Sequence, residues 1–250
     1  MPEFAESADG TSIAYDRVGS GPALVITGGA FNLRQSPGPL IGLLATQFTV
    51  YSWDRRGRGD SEDTPPYAVE REVEDLVAVI AAAGGAARAY GHSSGAILSL
   101  EAAMRGADMV KLAVYEPPYF PGNAAAMAGV QPALDAGDPE LAALTFVKGT
   151  GESNTDGLTQ SPWWPAMVAI ASTLPYDLAL VGDGVTPVDR LAAIRIPVLA
   201  LDGGASPAWA GDAAEAIEGA IGGAFRRTVP DQNHMVSPDA LAPILIEFLE

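Results

Sequence analysis

Residues 86–90 form a short, strand-like apolar run, and Gly91-His92-Ser93-Ser94-Gly95 follows with no spacer. From about residue 96 to 105 a helical stretch of small residues takes over. A strand that becomes a helix within five residues must turn a sharp, strained corner. Glycines on both sides let backbone and helix approach where a Cβ would clash. The serine at the centre of G-x-S-x-G then stands at the tip, its hydroxyl projecting above the sheet. In a chain with 28 glycines the bare pattern arises readily by chance, so its weight comes from the strand before it and the helix after it.

The same alternation runs through the first 120 residues. Residues 11–15 and 23–27 read as strands, 39–45 as a helix, and 48–53 as a strand ending at Asp54. Residues 69–83 carry Val73, Leu76, Val77 and Ile80 as a helical apolar stripe, with acidic residues expected on the opposite face. Residues 110–115 form another strand, ending at Glu116-Pro117-Pro118. Between about 121 and 187 the alternation fails. Helical pieces near 140–147 and 166–172 flank Trp163-Trp164, and the stretch is too long for a simple crossover. The pattern resumes with a strand at 197–201, a helix near 212–221, a strand at 225–229 and an amphipathic helix at 238–248.

The fold this predicts is α/β: a mostly parallel central sheet flanked by helices, formed by residues 1–120 and 188–250. Residues 121–187 are expected to be a small helical cap insertion. Its aromatics either line a substrate pocket or pack the cap's own core.

Composition narrows the function. With 14 basic and 31 acidic residues the formal charge is −17, a field that repels phosphate backbones and anionic lipid. Nucleic-acid and membrane partners are therefore not expected, and a small molecule is the expected partner. The chain has no cysteine, which removes disulfides, thiol nucleophiles and thiolate metal sites. Two histidines with no ligand-like spacing offer little for zinc, so neither metal nor cofactor is expected. The N-terminus lacks a basic segment followed by an apolar run, and no apolar stretch approaches the roughly 20 residues that span a bilayer. A cytoplasmic location is the default expectation; oligomeric state is not legible.

A serine hydroxyl needs a base to act as a nucleophile near neutral pH. His92 sits beside Ser93 in the turn itself, so His234, in the loop between the last strand and the last helix, is the candidate base.

These residues resemble the α/β-hydrolase family, and the resemblance spans nearly the whole chain. Residues 53–61, Trp-Asp-Arg-Arg-Gly-Arg-Gly-Asp-Ser, look like the family's D-x-R-G-x-G-x-S turn, here read as structural rather than catalytic. Residues 25–29, Val-Ile-Thr-Gly-Gly, look like the family's strand ending in His-Gly-x, with Thr27 replacing the histidine. The resemblance implies an oxyanion hole made by the amides of Gly29 and Ser94, which needs no side chain at position 27. The family often carries an acid shortly after the strand at 197–201, but Ser206 occupies that place. A serine cannot supply the charge that stabilises an imidazolium. Glu116 is the preferred replacement, at a position used by hydrolases resembling zearalenone lactonases and certain haloalkane dehalogenases. Asp202 is the alternative. Asp231 is close to His234 along the chain, but that does not aim it at the ring.

The implied activity is a serine hydrolase that cleaves an ester or lactone, with a hydrophobic acyl or alcohol moiety, through an acyl-enzyme. Carbon–carbon, thioester and perhydrolase chemistry stay open on the same fold, as does a non-catalytic binding protein. A serine nucleophile disfavours dehalogenase and epoxide hydrolase chemistry, which begins with a carboxylate.

Overall fold

The computed structural model describes residues 1–151 and 155–250. Its strands are β1 (Glu3–Glu6), β2 (Ser12–Val18), β3 (Ala23–Thr27), β4 (Thr49–Trp53), β5 (Ala87–His92), β6 (Met109–Tyr115), β7 (Val198–Gly203) and β8 (Ala224–Val229). They lie in one sheet in the order β1-β2-β4-β3-β5-β6-β7-β8. β2 pairs antiparallel with β1 and β4; the remaining pairs are parallel. The mostly parallel sheet predicted by the alternation is present, with an antiparallel hairpin at one edge. The sequence pattern does not announce β1, because only Ala5 of its four residues is buried.

Strands covered on both faces read as continuous apolar runs, and β3 shows why. Leu24 and Ile26 point to one face, where α1 (Pro39–Leu44) packs with Phe48, Leu199 and Leu245. Val25 points to the other face, against α2 (Val69–Ala82) and α3 (Ser94–Met104). Each fully buried aliphatic side chain of this kind contributes about 1.5–3 kcal/mol.

Helix α2 departs from its expected pattern. Val77 is 42% exposed, whereas Glu72 and Asp75 are fully buried. The acidic residues were expected on the solvent face, but two of them turn inward because buried arginines meet them: Arg55 lies on Glu72 at 2.6 and 2.8 Å, and Arg56 on Asp75 at 2.7 Å through two nitrogens. Paired and hydrogen-bonded on both sides, such charges tolerate burial.

The described residues between 121 and 187 contain helices and no strand; residues 152–154 of that expected insertion lie outside the described ones. The helices are α4 (Asn123–Ala126), α5 (Val130–Asp135), α6 (Pro139–Gly149), α7 (Thr155–Thr159), α8 (Trp164–Ala169) and α9 (Leu174–Val181), with a 3₁₀ turn at Ala171–Thr173 before α9. Met127, Val130, Phe146, Trp164 and Leu174 form a separate apolar cluster, joined by Ala30 and Phe31 from the loop after β3. Trp164 therefore packs inside this helical cluster, with its indole N–H on Glu140 at 3.0 Å, while Trp163 faces solvent. The short α10 (Val188–Leu191) leads back to the sheet; α11 (Ala208–Ala220) packs on β7 and β8, and α12 (Pro238–Leu249) covers the face that holds α1. Among the described residues no helix is long and apolar enough to cross a membrane.

Candidate active site

Ser93 stands between β5 and α3 with φ 57° and ψ −128°, a conformation costly for a residue with a Cβ. Neighbouring bonds hold it there. Its N–H donates to the Tyr115 carbonyl at 2.9 Å, and its carbonyl accepts from Ala96 N at 2.9 Å. The glycines explain how the corner fits. A Cβ on Gly95 would lie 2.4 Å from the Thr27 carbonyl oxygen and 2.5 Å from that of Gly28. A Cβ on Gly29 would lie 2.7 Å from Ser93 Cβ and 3.3 Å from Ser93 Oγ. The start of α3 is thus pressed directly onto the end of β3, and Gly29 borders the serine hydroxyl.

His234 reaches the same rim from the loop after β8. Its Nδ1 lies 2.7 Å from Oε2 of Glu116, which follows β6 and is fully buried. Glu116 itself has φ 45°. Its other oxygen, Oε1, accepts from Gly203 N at 2.8 Å and from Ser206 Oγ at 2.5 Å. Burial raises the Glu116 pKa, but hydrogen bonds from His234, Ser206 and Gly203 outweigh it and leave the carboxyl below its ordinary value. An ionised Glu116 accepts a proton bond from Nδ1, which leaves Nε2 as the unprotonated nitrogen. Ser206, at the position where an acid is expected after β7, instead donates to Glu116.

Of the candidate acids, the structure brings Glu116 to the histidine. Asp202 is turned away, holding Arg226 Nε at 3.1 Å and Thr228 Oγ1 at 3.0 Å. Asp231 is exposed, in a turn at φ 58°. Tyr115 Oη donates to the Asn233 carbonyl at 2.7 Å and so fixes the loop beside His234.

The His92 ring lies beside His234, with ring centroids 5.0 Å apart. It also stacks on Tyr115, and burial followed by the nearby His234 pushes its pKa down to about 3. A ring held neutral at such a low value is no base near neutral pH. Among the described residues no hydrogen bond joins Ser93 Oγ to His234. In sites of this kind that bond often tightens only when substrate is in place.

Thr27 is fully buried and accepts the Trp53 indole N–H at 3.2 Å, a structural use of the position. Ser94 opens α3, so its amide has no partner within the helix. The Gly29 amide, the other expected oxyanion donor, carries a local partner: it donates to Asn32 Oδ1 at 3.1 Å. Sequence reasoning did not single out Asn32.

The turn at 53–61 is held together by polar contacts. Asp54 accepts from Arg34 N at 2.7 Å and Asp60 N at 3.0 Å. Its arginines reach further than the motif implies. Arg58 Nη1 donates to the Gly29 carbonyl at 2.7 Å, and Arg55 and Arg58 both pair with Asp177 of α9. Asp177, fully buried, also accepts from Ser94 Oγ at 2.6 Å. Nothing in the irregular pattern of 121–187 marks Asp177. Among the described residues there is no group of three or more His, Cys, Asp or Glu side chains arranged to hold a metal.

Comparison with known proteins agrees with this architecture. The sequence model of the alpha/beta hydrolase family matches residues 19–244, and the chain belongs to that family. An alpha/beta hydrolase from Sphaerobacter thermophilus is similar at 47% identity and TM-score 0.94, over 99% of this chain and 100% of that one. An esterase from Rhodococcus sp. is similar at 22% identity and TM-score 0.79, over 99% and 98% of the two chains. An enol-lactonase from Burkholderia xenovorans is similar at 19% identity and TM-score 0.80, over 99% of each. At these lower identities the likeness is one of fold.

Proposed function

We propose that the protein is a serine hydrolase that cleaves an ester or lactone of a small, hydrophobic substrate through an acyl-enzyme. The observation that carries this reading is the 2.7 Å bond between His234 Nδ1 and buried Glu116 Oε2 beside the Ser93 elbow. An orienting carboxylate is what turns a histidine into an effective base.

In this reading Ser93 Oγ attacks the acyl carbon while His234 Nε2 takes its proton. Glu116 stabilises the imidazolium that forms. The amides of Gly29 and Ser94 hold the oxyanion, with the Asn32 side chain giving way at Gly29. His234 returns the proton to the leaving alkoxide; it then draws a proton from the water that attacks the acyl-enzyme and passes it to Ser93 Oγ as the acyl–serine bond breaks and the acid leaves. Phe120 and Trp209, with ring centroids 5.1 Å apart, extend an aromatic row that reaches His234 at 6.1 Å from Trp209. A wall of this kind favours an apolar group on the substrate. An acid supplied from the end of β6 is the placement that the likeness to zearalenone lactonases implies. The esterase and lactonase activities of the structural neighbours support the bond class.

The test is Ser93→Ala against a panel of esters and lactones varied in chain length. The variant is expected to keep the wild-type melting temperature and lose turnover by at least about 10⁴-fold. Stoichiometric labelling of the wild type at Ser93 by a fluorophosphonate is the companion result. A wild type inert to both probe and panel is the behaviour of a binding protein that has kept the fold.

A further inference from the structure

Between the two proposed anion donors runs an unbroken chain of short contacts through the cap. The Gly29 carbonyl accepts from Arg58 Nη1 at 2.7 Å; Arg58 Nη2 donates to Asp177 Oδ2 at 2.7 Å; Asp177 Oδ1 accepts from Ser94 Oγ at 2.6 Å. Arg55 joins from the side, with Nη1 2.6 Å from Asp177 Oδ1 and 3.2 Å from Ser94 Oγ, and its far edge on Glu72. Arg58 Nε donates to Thr173 Oγ1 at 3.0 Å, in the turn that starts α9. Arg55, Arg58, Glu72 and Asp177 are all essentially buried and sum to zero charge. Burial raises the Asp177 pKa, but the guanidinium groups of Arg58 and Arg55 outweigh it and hold the carboxyl below its ordinary value.

From this geometry we infer that the Arg58–Asp177 ion pair is a positioning device that sets the separation and aim of the Gly29 and Ser94 amides. The inference rests on the reading of Ser93 as nucleophile with those amides as its anion donors. Each end of the pair grips an atom of the residue whose amide matters: the carbonyl of Gly29 and the hydroxyl of Ser94. A planar guanidinium and a carboxylate fix direction as well as distance, which a single flexible contact does not. Asp177 belongs to α9, so the cap is part of the frame that holds the hole and not only a cover. Neither residue is expected to touch substrate. Both sit behind the donors, and their effect falls on the step in which the oxyanion forms. Misplacement of a reacting group by about 1 Å costs on the order of 100-fold in rate.

Charge offers a way to separate positioning from a simple field effect. Asp177→Asn leaves the buried group with an excess positive charge, and Arg58→Gln leaves it with an excess negative one. A field acting on the oxyanion predicts rate changes of opposite sign; positioning predicts loss in both. The experiment measures kcat and KM on p-nitrophenyl acetate for the wild type and both variants, with melting temperature as the folding control. The inference expects kcat to fall about 10-fold or more in both, with KM within about threefold. Unchanged kcat, changes of opposite sign, or a rise in KM alone in folded variants would overturn it.

Should either buried substitution prevent folding, Ser94→Ala and Thr173→Val decide the matter. Each removes one hydroxyl contact of the network and retains both backbone amides. A lower kcat in both supports positioning, and wild-type kcat in both overturns it. Fluorophosphonate labelling of the wild type runs alongside. If Ser93 is labelled and esters turn over, only the positioning claim is at stake; if the wild type is inert, the hydrolase reading itself fails and takes the claim with it.

Discussion

Glu116 and His234 are 118 positions apart in the chain, yet Oε2 and Nδ1 lie 2.7 Å from each other. The contact places a buried carboxylate behind the imidazole, and in the proposed reaction the other ring nitrogen carries the proton. Ser206 and Gly203 steady the second carboxylate oxygen, so the acid has one orientation.

Removing the charge at Glu116 is expected to lower kcat by about 10²–10⁴-fold in Glu116→Gln, because the tautomer and the imidazolium both lose their support. Asp202→Asn, altering a residue that faces Arg226 and Thr228, is expected to stay within about twofold of the wild type. Steady-state kinetics of the two variants on one ester compare the acids. Equal losses would remove the distinction.

Stability is expected to fall with acid earlier than the carboxylates alone require. His92 titrates near 3 in the folded protein, against an ordinary histidine value of 6.5, because burial and His234 disfavour its charge. Between those values the unfolded chain binds the extra proton. The stability present above about pH 6.5 is therefore lost progressively as the pH falls toward 3. Glu116, whose pKa is depressed, acts in the same direction at lower pH: its contribution is present above the ordinary carboxylate value and disappears as the pH falls through the folded one. Denaturant titrations at pH 7.5 and pH 5 should show a smaller loss in His92→Gln than in the wild type. Equal losses would mean that His92 is not the cause.

The elbow tolerates no added carbon at its second glycine. In Gly95→Ala the new Cβ meets the Thr27 and Gly28 carbonyl oxygens at 2.4 and 2.5 Å, and neither is a flexible side-chain end. Either β3 or α3 must move, at a cost of about 1–3 kcal/mol. Thermal melting and ester turnover should both drop. A variant with wild-type values of both would contradict the close approach.

Trp209 is expected to govern preference for apolar groups more than rate. Trp209→Ala should lower kcat/KM for a bulky aryl or long-chain ester by about 10-fold relative to the methyl or acetyl compound, chiefly through KM. A parallel loss on all esters would assign the side chain to packing.

The parts of the site that sequence made legible are those encoded by neighbours in the chain. Ser93 stands out because glycines, a strand and a helix surround it within a dozen residues. His234 stands out because the only other histidine adjoins the serine. Glu116 was open to competition from Asp202, since both end strands, and only the pairing of β6 with β7 and the path of the last loop select between them. Asp177 could not be found this way. Its partners Ser94, Arg58 and Arg55 lie 83, 119 and 122 positions away, and Asp177 itself lies in a region whose helices are short and carry proline in their first turn. The buried face of α2 escapes the periodicity for a related reason. Periodicity reports apolar residues, and Glu72 and Asp75 are buried by their partners rather than by hydrophobicity.

The bond between the Gly29 amide and Asn32 Oδ1 bears on how a hydrolase of this design spends binding strength. An incoming neutral carbonyl merely exchanges one oxygen acceptor for another at that amide and gains little. Once the same oxygen carries a full negative charge, its hydrogen bond is roughly twice as strong, and the side-chain oxygen is outcompeted. In the proposed reaction, such a placeholder withholds the Gly29 donor from the resting ester and yields it to the tetrahedral species.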